Sequence, residues 1–265
     1  MISPISESTT LSARFSLDRT QCKLREVLQR LATGRRINSG KDDPAGLIAS
    51  ERLKADIRSL EAENRVIQRA EANSRIAEGH AAQLSALTGE MNALIVSSAN
   101  QAGMSDAEIA ANQMQIDNMA SSIERLHGSA VESLGNLRLP GNTNAEVEAL
   151  YDNALAAARS VQSGGPNDLA SGNFETAQTA LKSAIVDVAT ARGEIGAYQL
   201  YDLAPRLRSN QISITNLTDS RSRIVDTDYA VEISNLGRAQ VLTTAGINVL
   251  RIAGQQTKSV LDLLS

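Results

Sequence analysis

Near one end of this chain of 265 residues, Leu17, Gln21, Leu24, Leu28 and Leu31 advance by alternating steps of four and three. Near the other end Ile233, Leu236, Gln240, Thr243, Ile247, Leu250, Gly254, Thr257, Leu261 and Leu264 do the same. On an α-helix that alternation returns to one narrow stripe, the pattern of a seam that meets another helix rather than of a solvated face. Each terminal seam predicts a partner, and the seam at the opposite end is the simplest one. A pair of helices has little interior, so the two ends are expected to be poorly ordered in a lone molecule and fixed when neighbouring chains supply more surface.

Composition narrows what lies between them. Apolar residues make up 42% of the chain but aromatics only 2%, with no Trp, so thin helical layers suit it better than a thick ring-filled core. Five prolines interrupt a sequence rich in Ala, Leu, Glu, Gln and Arg, and helix is expected to dominate. The fold class read from this is all-α, an elongated helical bundle with long coiled-coil segments and paired N- and C-terminal helices. The net charge of -4 gives no general attraction to nucleic acid or anionic membrane. The first forty residues carry seven basic and three acidic side chains, read as the solvated flanks of a packing helix. No run of eighteen apolar residues exists to span a membrane, and Met1-Ile-Ser-Pro-Ile-Ser-Glu-Ser-Thr-Thr lacks the basic and apolar regions of a Sec-type signal.

The first helix is expected over about residues 8–32, ending near Gly34. Asn38-Ser39-Gly40-Lys41-Asp42-Asp43-Pro44 is a stop followed by a restart, where Asp42 or Asp43 caps a helix that takes Pro44 in its first turn. That helix is expected to reach about Asn100, with Val66, Ala70, Asn73, Ala77, His80, Leu84, Leu87, Met91 and Leu94 on its stripe. A third, capped by Ser105 or Asp106, carries Ile109, Asn112, Ile116, Met119, Ile123 and Leu126 and folds back antiparallel. Residues 128–172 read as a small irregular outer insertion, with a short Ala-rich helix at about 145–161 and room for a short hairpin. Helix resumes at Phe174 and is expected to kink or break at Pro205.

Little in the chain is fitted for catalysis. His80 and His127 form no zinc motif; the first reads as a hydrogen-bonded packing residue and the second as the end of a helix before Gly128. Cys22, the one cysteine, excludes an intrachain disulfide and reads as a small core residue. Lys41-Asp42-Asp43 and Asp226-Thr227-Asp228 offer paired carboxylates, but each precedes a helix whose N–H groups they can cap. No catalytic residue, cofactor or metal is expected.

Leu31-Ala-Thr-Gly-Arg-Arg-Ile-Asn-Ser-Gly-Lys-Asp-Asp-Pro-Ala-Gly-Leu-Ile-Ala49 closely resembles the N-terminal signature of bacterial flagellins. Ser222-Arg-Ile-Val-Asp-Thr-Asp-Tyr-Ala-Val-Glu-Ile-Ser, with Ala239-Gln-Val-Leu and Val260-Leu-Asp-Leu-Leu264, resembles the C-terminal one, and Val96-Ser-Ser-Ala-Asn100 a further landmark. The resemblance implies a secreted, extracellular subunit that leaves the cell unfolded through the flagellar type III exporter and polymerises beneath a cap into the helical filament used for motility. Its partners would be further copies of itself, an export chaperone, the filament cap and hook-associated proteins. The resemblance places assembly residues at Arg36, Ile37, Asn38, Asp42, Asp43 and Gly46, and at Asp226, Asp228, Tyr229 and Ala230.

On this basis residues 1–42 and 223–265 form an inner coiled-coil domain, 43–137 and 173–222 a helical-bundle domain, and 138–172 a short variable insertion. The surface that an innate-immune receptor reads in some flagellins falls near Glu90, Leu94 and Gln115, where arginine and glutamate are typical at the first and third positions; the charge reversal at Glu90 argues against recognition. The asparagine-phenylalanine-asparagine-glycine landmark is replaced by the neighbourhood of Gly135-Asn-Leu-Arg-Leu139. Other readings are a hook-filament junction protein, a minor filament subunit and, from a different class, a cytoplasmic helical adaptor.

Overall fold

The computed structural model describes residues 4–99, 103–137, 139 and 143–262. Seven α-helices follow one another among them: α1 (Pro4–Thr33), α2 (Pro44–Ser98), α3 (Asp106–Gly135), α4 (Thr143–Ser160), α5 (Phe174–Tyr198), α6 (Ala204–Val225) and α7 (Tyr229–Asp262). No strand occurs among the described residues, where the only β-type pairing is an isolated antiparallel bridge between Arg35 and Asp226. No described helix is long and apolar enough to cross a membrane.

The chain divides into two compact units, one of Met1–Ser59 with Ile214–Ser265, the other of Leu60–Ser213. The divisions fall inside α2 and α6, not at the polar turns where sequence placed domain edges. In the first unit α1 packs along α7.

The second unit holds the apolar core, a buried cluster drawn from α2, α3, α4 and α5. Along α2 the buried line is Ile67, Ser74, Ala77, Ala81, Leu84, Thr88, Met91, Ile95 and Ser98, with Ala70 partly covered. This line shares Ala70, Ala77, Leu84 and Met91 with the expected stripe but swaps the positions between, leaving Val66 exposed and burying Ile67. The hydroxyls on it are not wasted: Thr88 Oγ1 donates to Leu84 O at 2.7 Å, satisfying within its own helix a group that would otherwise be costly to bury.

Helix α3 begins with a capping box. Ser105 Oγ accepts from Glu108 N (3.3 Å), and Glu108 Oε2 accepts from Ser105 N (2.7 Å) and Ser105 Oγ (2.9 Å), the two bonds that hold the Glu108 carboxyl below its ordinary value. Ser105, not Asp106, is the cap. The helix runs on to Gly135, so His127 lies inside it and its Nε2 meets Asp152 Oδ1 at 2.8 Å, which corrects its reading as a helix end.

Two other readings change. The stretch taken for an outer insertion supplies α4, which packs on α3 and α5 and buries Val147, Tyr151, Ala154 and Ala158 in the core. Its buried alanines, Ala154, Ala157 and Ala158, take little room between the helices it packs against. Gln113 staples the following loop, donating to Val161 O (3.2 Å) and accepting from Leu169 N (2.9 Å). Pro205 neither breaks nor ends the helix; a π-helical segment at Gln199–Leu203 joins α5 to α6, and Ala204 N reaches back to Gln199 O. The wider turn absorbs one extra residue and gives the proline ring room where an α-turn would set it against a carbonyl. His80 Nδ1 is buried without a hydrogen bond, so that packing residue is not the hydrogen-bonded one expected.

Candidate self-assembly site

The first unit is built on a junction between two short backbone stretches. Gly34, at φ 68°, closes α1 in the left-handed conformation that glycine adopts without strain. Its carbonyl accepts from Thr227 N at 3.0 Å, and Arg36 N donates to Val225 O at 2.6 Å, so residues 34–36 and 225–227 run as a miniature ladder. Arg36 adds a side-chain bond from Nη2 to Ile224 O. Ile37 and Val225 are buried beside it.

Both carboxylate pairs serve helix starts and turns. Asp43 Oδ1 accepts from Gly46 N at 2.9 Å, capping α2 with Pro44 in its first turn. Asp42 instead gathers the preceding loop: its Oδ2 accepts from Asn38 N (3.0 Å), Ser39 N (2.8 Å) and Ser39 Oγ (3.0 Å). The hydrogen bond from Asn38 N, with those from Ser39, holds the Asp42 carboxyl below its ordinary range. Asn38 Nδ2 donates back to Arg35 O at 2.9 Å. Across the junction, Asp228 Oδ1 accepts from Ala230 N (2.8 Å) and Val231 N (3.2 Å) to start α7, while Asp226 Oδ2 accepts from Ser222 Oγ (2.6 Å). No cluster of three or more potential metal ligands occurs among the described residues.

Two glycines are fixed by close approach. A Cβ on Gly46 would lie 2.7 Å from Ile37 Cδ1 and would also strike the Asp43 carboxylate, and one on Gly34 would lie 2.9 Å from the Tyr229 hydroxyl oxygen. The ten residues that the resemblance singled out thus occupy one junction, with Ile37 at its centre and the Tyr229 ring lying exposed over Gly34.

From the junction α1 and α7 run antiparallel: Gly34 is beside Tyr229, Arg30 Nη1 is 3.6 Å from Glu232 Oε1, and Leu17 lies against Gly246. The more covered residues of α1 are Thr10, Ala13, Leu17, Thr20, Leu24, Val27, Arg30 and Leu31. Those of α7 are Glu232, Asn235, Leu236, Ala239, Thr243, Gly246, Leu250 and Ala253. The four-three steps therefore hold, and so do Leu17, Leu24, Leu31, Leu236 and Leu250. The intervening positions are the neighbours of those expected: Val27 is buried while Leu28 is exposed, and Glu232, Ala239 and Gly246 take the places of Ile233, Gln240 and Ile247. Leu264, and the side chain of Leu261, lie outside what the structure describes. Cys22 is exposed, away from the covered stripe, with Arg25 Nη2 3.3 Å from its sulfur; it is not a core residue.

The first unit consequently has almost no interior. Its buried apolar residues, among those described, are Val27, Ile37, Val225 and Ala239. Large apolar side chains remain in water along α7, among them Val231, Ile233, Val241, Leu242, Val249 and Ile252, and on α1 Leu11, Phe15 and Leu28. Val241 is 68% exposed and Phe15 64%, values that a solvated coiled coil gains nothing from.

In the second unit Glu90, Leu94 and Gln115 line one open groove of about 570 Å³ with Met119 at hand. The structure thus brings together all three residues of the expected receptor-facing surface, Leu94 partly covered and the two polar ones exposed.

Residues 6–131 match the bacterial flagellin N-terminal helical region and residues 178–264 the bacterial flagellin C-terminal helical region. The chain is 28% identical over 262 residues to a flagellar filament 30.7 kDa core protein of Treponema maltophilum, covering 90% of this chain and 91% of that one. It is 27% identical to a flagellar filament 33 kDa core protein of Treponema phagedenis over 97% of both chains. A flagellin of Bacillus subtilis is 27% identical over 89% of this chain and 91% of its own.

Proposed function

The chain belongs to the bacterial flagellin family, and from that we propose that it is a structural subunit that polymerises into the helical filament of the bacterial flagellum, outside the cell, for motility. The observation that carries the mechanism is the uncovered apolar surface of the first unit. Each Leu, Ile or Val removed from water contributes roughly 1.5–3 kcal/mol, so a neighbour that covers several of them supplies the interior that one copy lacks. Contacts between identical subunits that do not close on themselves give an open helical polymer rather than a ring.

In this reading residues 1–42 and 223–265 form the inner coiled coil, and the junction of Arg36, Ile37, Asp43, Gly46, Asp228 and Tyr229 ties the end of α1 to the start of α7. Coverage by neighbours falls on Leu28, Ile233 and Ile247, which the α1–α7 contact leaves exposed. Export through the flagellar type III pathway, delivery by a chaperone, and growth between hook-associated proteins and a cap are the partners this role requires. No step of the role turns over a substrate. The acidic Glu90 in the α2–α3 groove disfavours an innate-immune receptor that reads arginine there, and full potency in a receptor-activation assay would contradict that reading.

The test is assembly of the purified chain. Cooling after heat dissociation gives filaments by negative-stain microscopy that dissociate and regrow; a chain that stays monomeric through such cycles contradicts the role.

A further inference from the structure

One of the two lines of the α1–α7 seam repeats itself every seven residues. Leu17, Leu24 and Leu31 recur at that interval on α1, and Ala239, Gly246 and Ala253 recur at it on α7. Leu17 lies across Gly246, and the antiparallel run brings Leu24 level with Ala239. If α7 slid by one heptad, so that Leu17 met Ala253 and Leu24 met Gly246, both leucines would still lie over a small residue, and Leu31, now level with Glu232, would come to Ala239. These leucine-over-small contacts do not choose between the alignments; the second line of the seam would exchange Val27 opposite Leu236 and Thr20 opposite Thr243 for Val27 opposite Thr243 and Thr20 opposite Leu250, one leucine-bearing pair for another.

Two features at the junction end are not repeated. Glu232 is 5% exposed and lies one heptad before Ala239, where the pattern would place another small residue. Its Oε2 accepts from Asn235 Nδ2 at 3.1 Å, while its Oε1 accepts no hydrogen bond and has Arg30 Nη1 at 3.6 Å. Arg30 is held towards it by Glu26 on its own helix, 2.6 Å from Nη2. A one-heptad slide would bring Arg30 to the level of Gln240 and leave the carboxylate without its cation. The second feature is the Gly34–Thr227 backbone bond, 3.0 Å, with the Tyr229 hydroxyl seated over Gly34.

We infer that the register of the paired chain ends is set from the junction by the Arg30–Glu232 ion pair and the Gly34 seat, and that the leucine seam supplies adhesion without alignment. Arg30 and Glu232 are positioning residues in the assembly function proposed above, on which this inference rests. They select the one alignment, among those that seat Leu17 and Leu24 over small residues, that presents the same outer surface from every copy, as a regular polymer requires.

The alignment can be read by disulfide trapping in the full chain with Cys22→Ser. A Cβ at Gly246 lies 3.7 Å from Leu17 Cβ, within the range that a disulfide spans, so Leu17→Cys with Gly246→Cys reports the native register. Leu17→Cys with Ala253→Cys or with Ala239→Cys reports slides in the two directions. In the parent background only the first pair forms an intrachain bond. With Arg30→Met, Glu232→Met and Gly34→Ala combined, which keeps the seam apolar, the Leu17/Ala253 bond rises at least tenfold; Arg30→Glu with Glu232→Arg keeps the native bond alone. A combined variant that still gives only the Leu17/Gly246 bond overturns the inference. So does one that gives none of the three, since the pair would then hold the helices together rather than align them. A parent chain that traps as expected but never forms filaments breaks the proposed function and leaves the register inference standing.

Discussion

Gly46 has the least freedom of any residue at the junction. Its N–H satisfies the Asp43 cap, and the space where a side chain would start is filled by the Asp43 carboxylate and by Ile37. Gly46→Ala must displace a cap or a buried isoleucine, at a cost of about 1–3 kcal/mol, and is expected to lower the thermal midpoint of the chain in circular dichroism and to reduce filament yield. Asp42 acts through hydrogen bonds to its charged form, so its folded pKa lies below its unfolded one. What it contributes to stability is present above the ordinary aspartate pKa and is lost as pH falls through the lowered value. Tyr151 shows the reverse sign. Burial pushes its hydroxyl up to about 12, and that hydroxyl has no hydrogen-bond partner, so stability falls as pH rises from the unfolded value of 10.0 towards 12. Tyr151→Phe is expected to remove this alkaline loss and to stabilise the chain by about 1 kcal/mol at neutral pH, read from denaturant unfolding at both pH values. A destabilised phenylalanine variant would mean that the hydroxyl is bonded after all.

At the level of the element, periodicity identified the helices and their partners but fixed only half of each seam. Four-three spacing constrains alternate positions firmly, and the ones between were chosen by apolar size: Ile233 and Ile247 looked better than Glu232 and Gly246. Two helices that lie close want the smaller residue at the contact, and the larger one is turned outwards. The same bias put Val66 in place of Ile67 and overlooked Ser74 and Thr88, whose polarity is cancelled by local bonding. Asp43, Asp228 and Ser105 were legible because a cap needs a carboxylate or hydroxyl just ahead of a helix. Helix α4 was legible as a short Ala-rich helix, but its place in the core was not, because glycines and prolines on both sides of it looked like the edges of an appendage. The π-segment follows from Pro205 together with one residue too many for an α-turn. Removing Leu200, which is exposed, along with Pro205→Ala is therefore expected to yield an unbroken α-helix of at least parental stability, whereas removing Leu200 alone costs about 3 kcal/mol in thermal or denaturant unfolding. Equal stability of the two deletions would show that the proline does not require the wider turn.

For the molecule as a whole, the two units differ in how far each completes itself. The second has a contiguous buried core running from Ile67 to Leu203 in sequence. The first has four buried apolar residues among those described and a row of large ones in water. Removing residues 225–265 is thus expected to leave the second unit helical by circular dichroism while abolishing polymerisation, and filament growth at the parental rate would contradict this. That the chain ends pair through half-filled seams was readable from their four-three spacing, and the paired signatures supplied the role that seams alone leave open. The central claim is that other copies cover the apolar rows which one copy leaves wet. Thiol labelling of Val241→Cys and Ile252→Cys, each with Cys22→Ser, measures this most directly in monomers and in assembled filaments. Labelling at least tenfold slower in the filament is the predicted result, and equal rates in the two states would contradict the account.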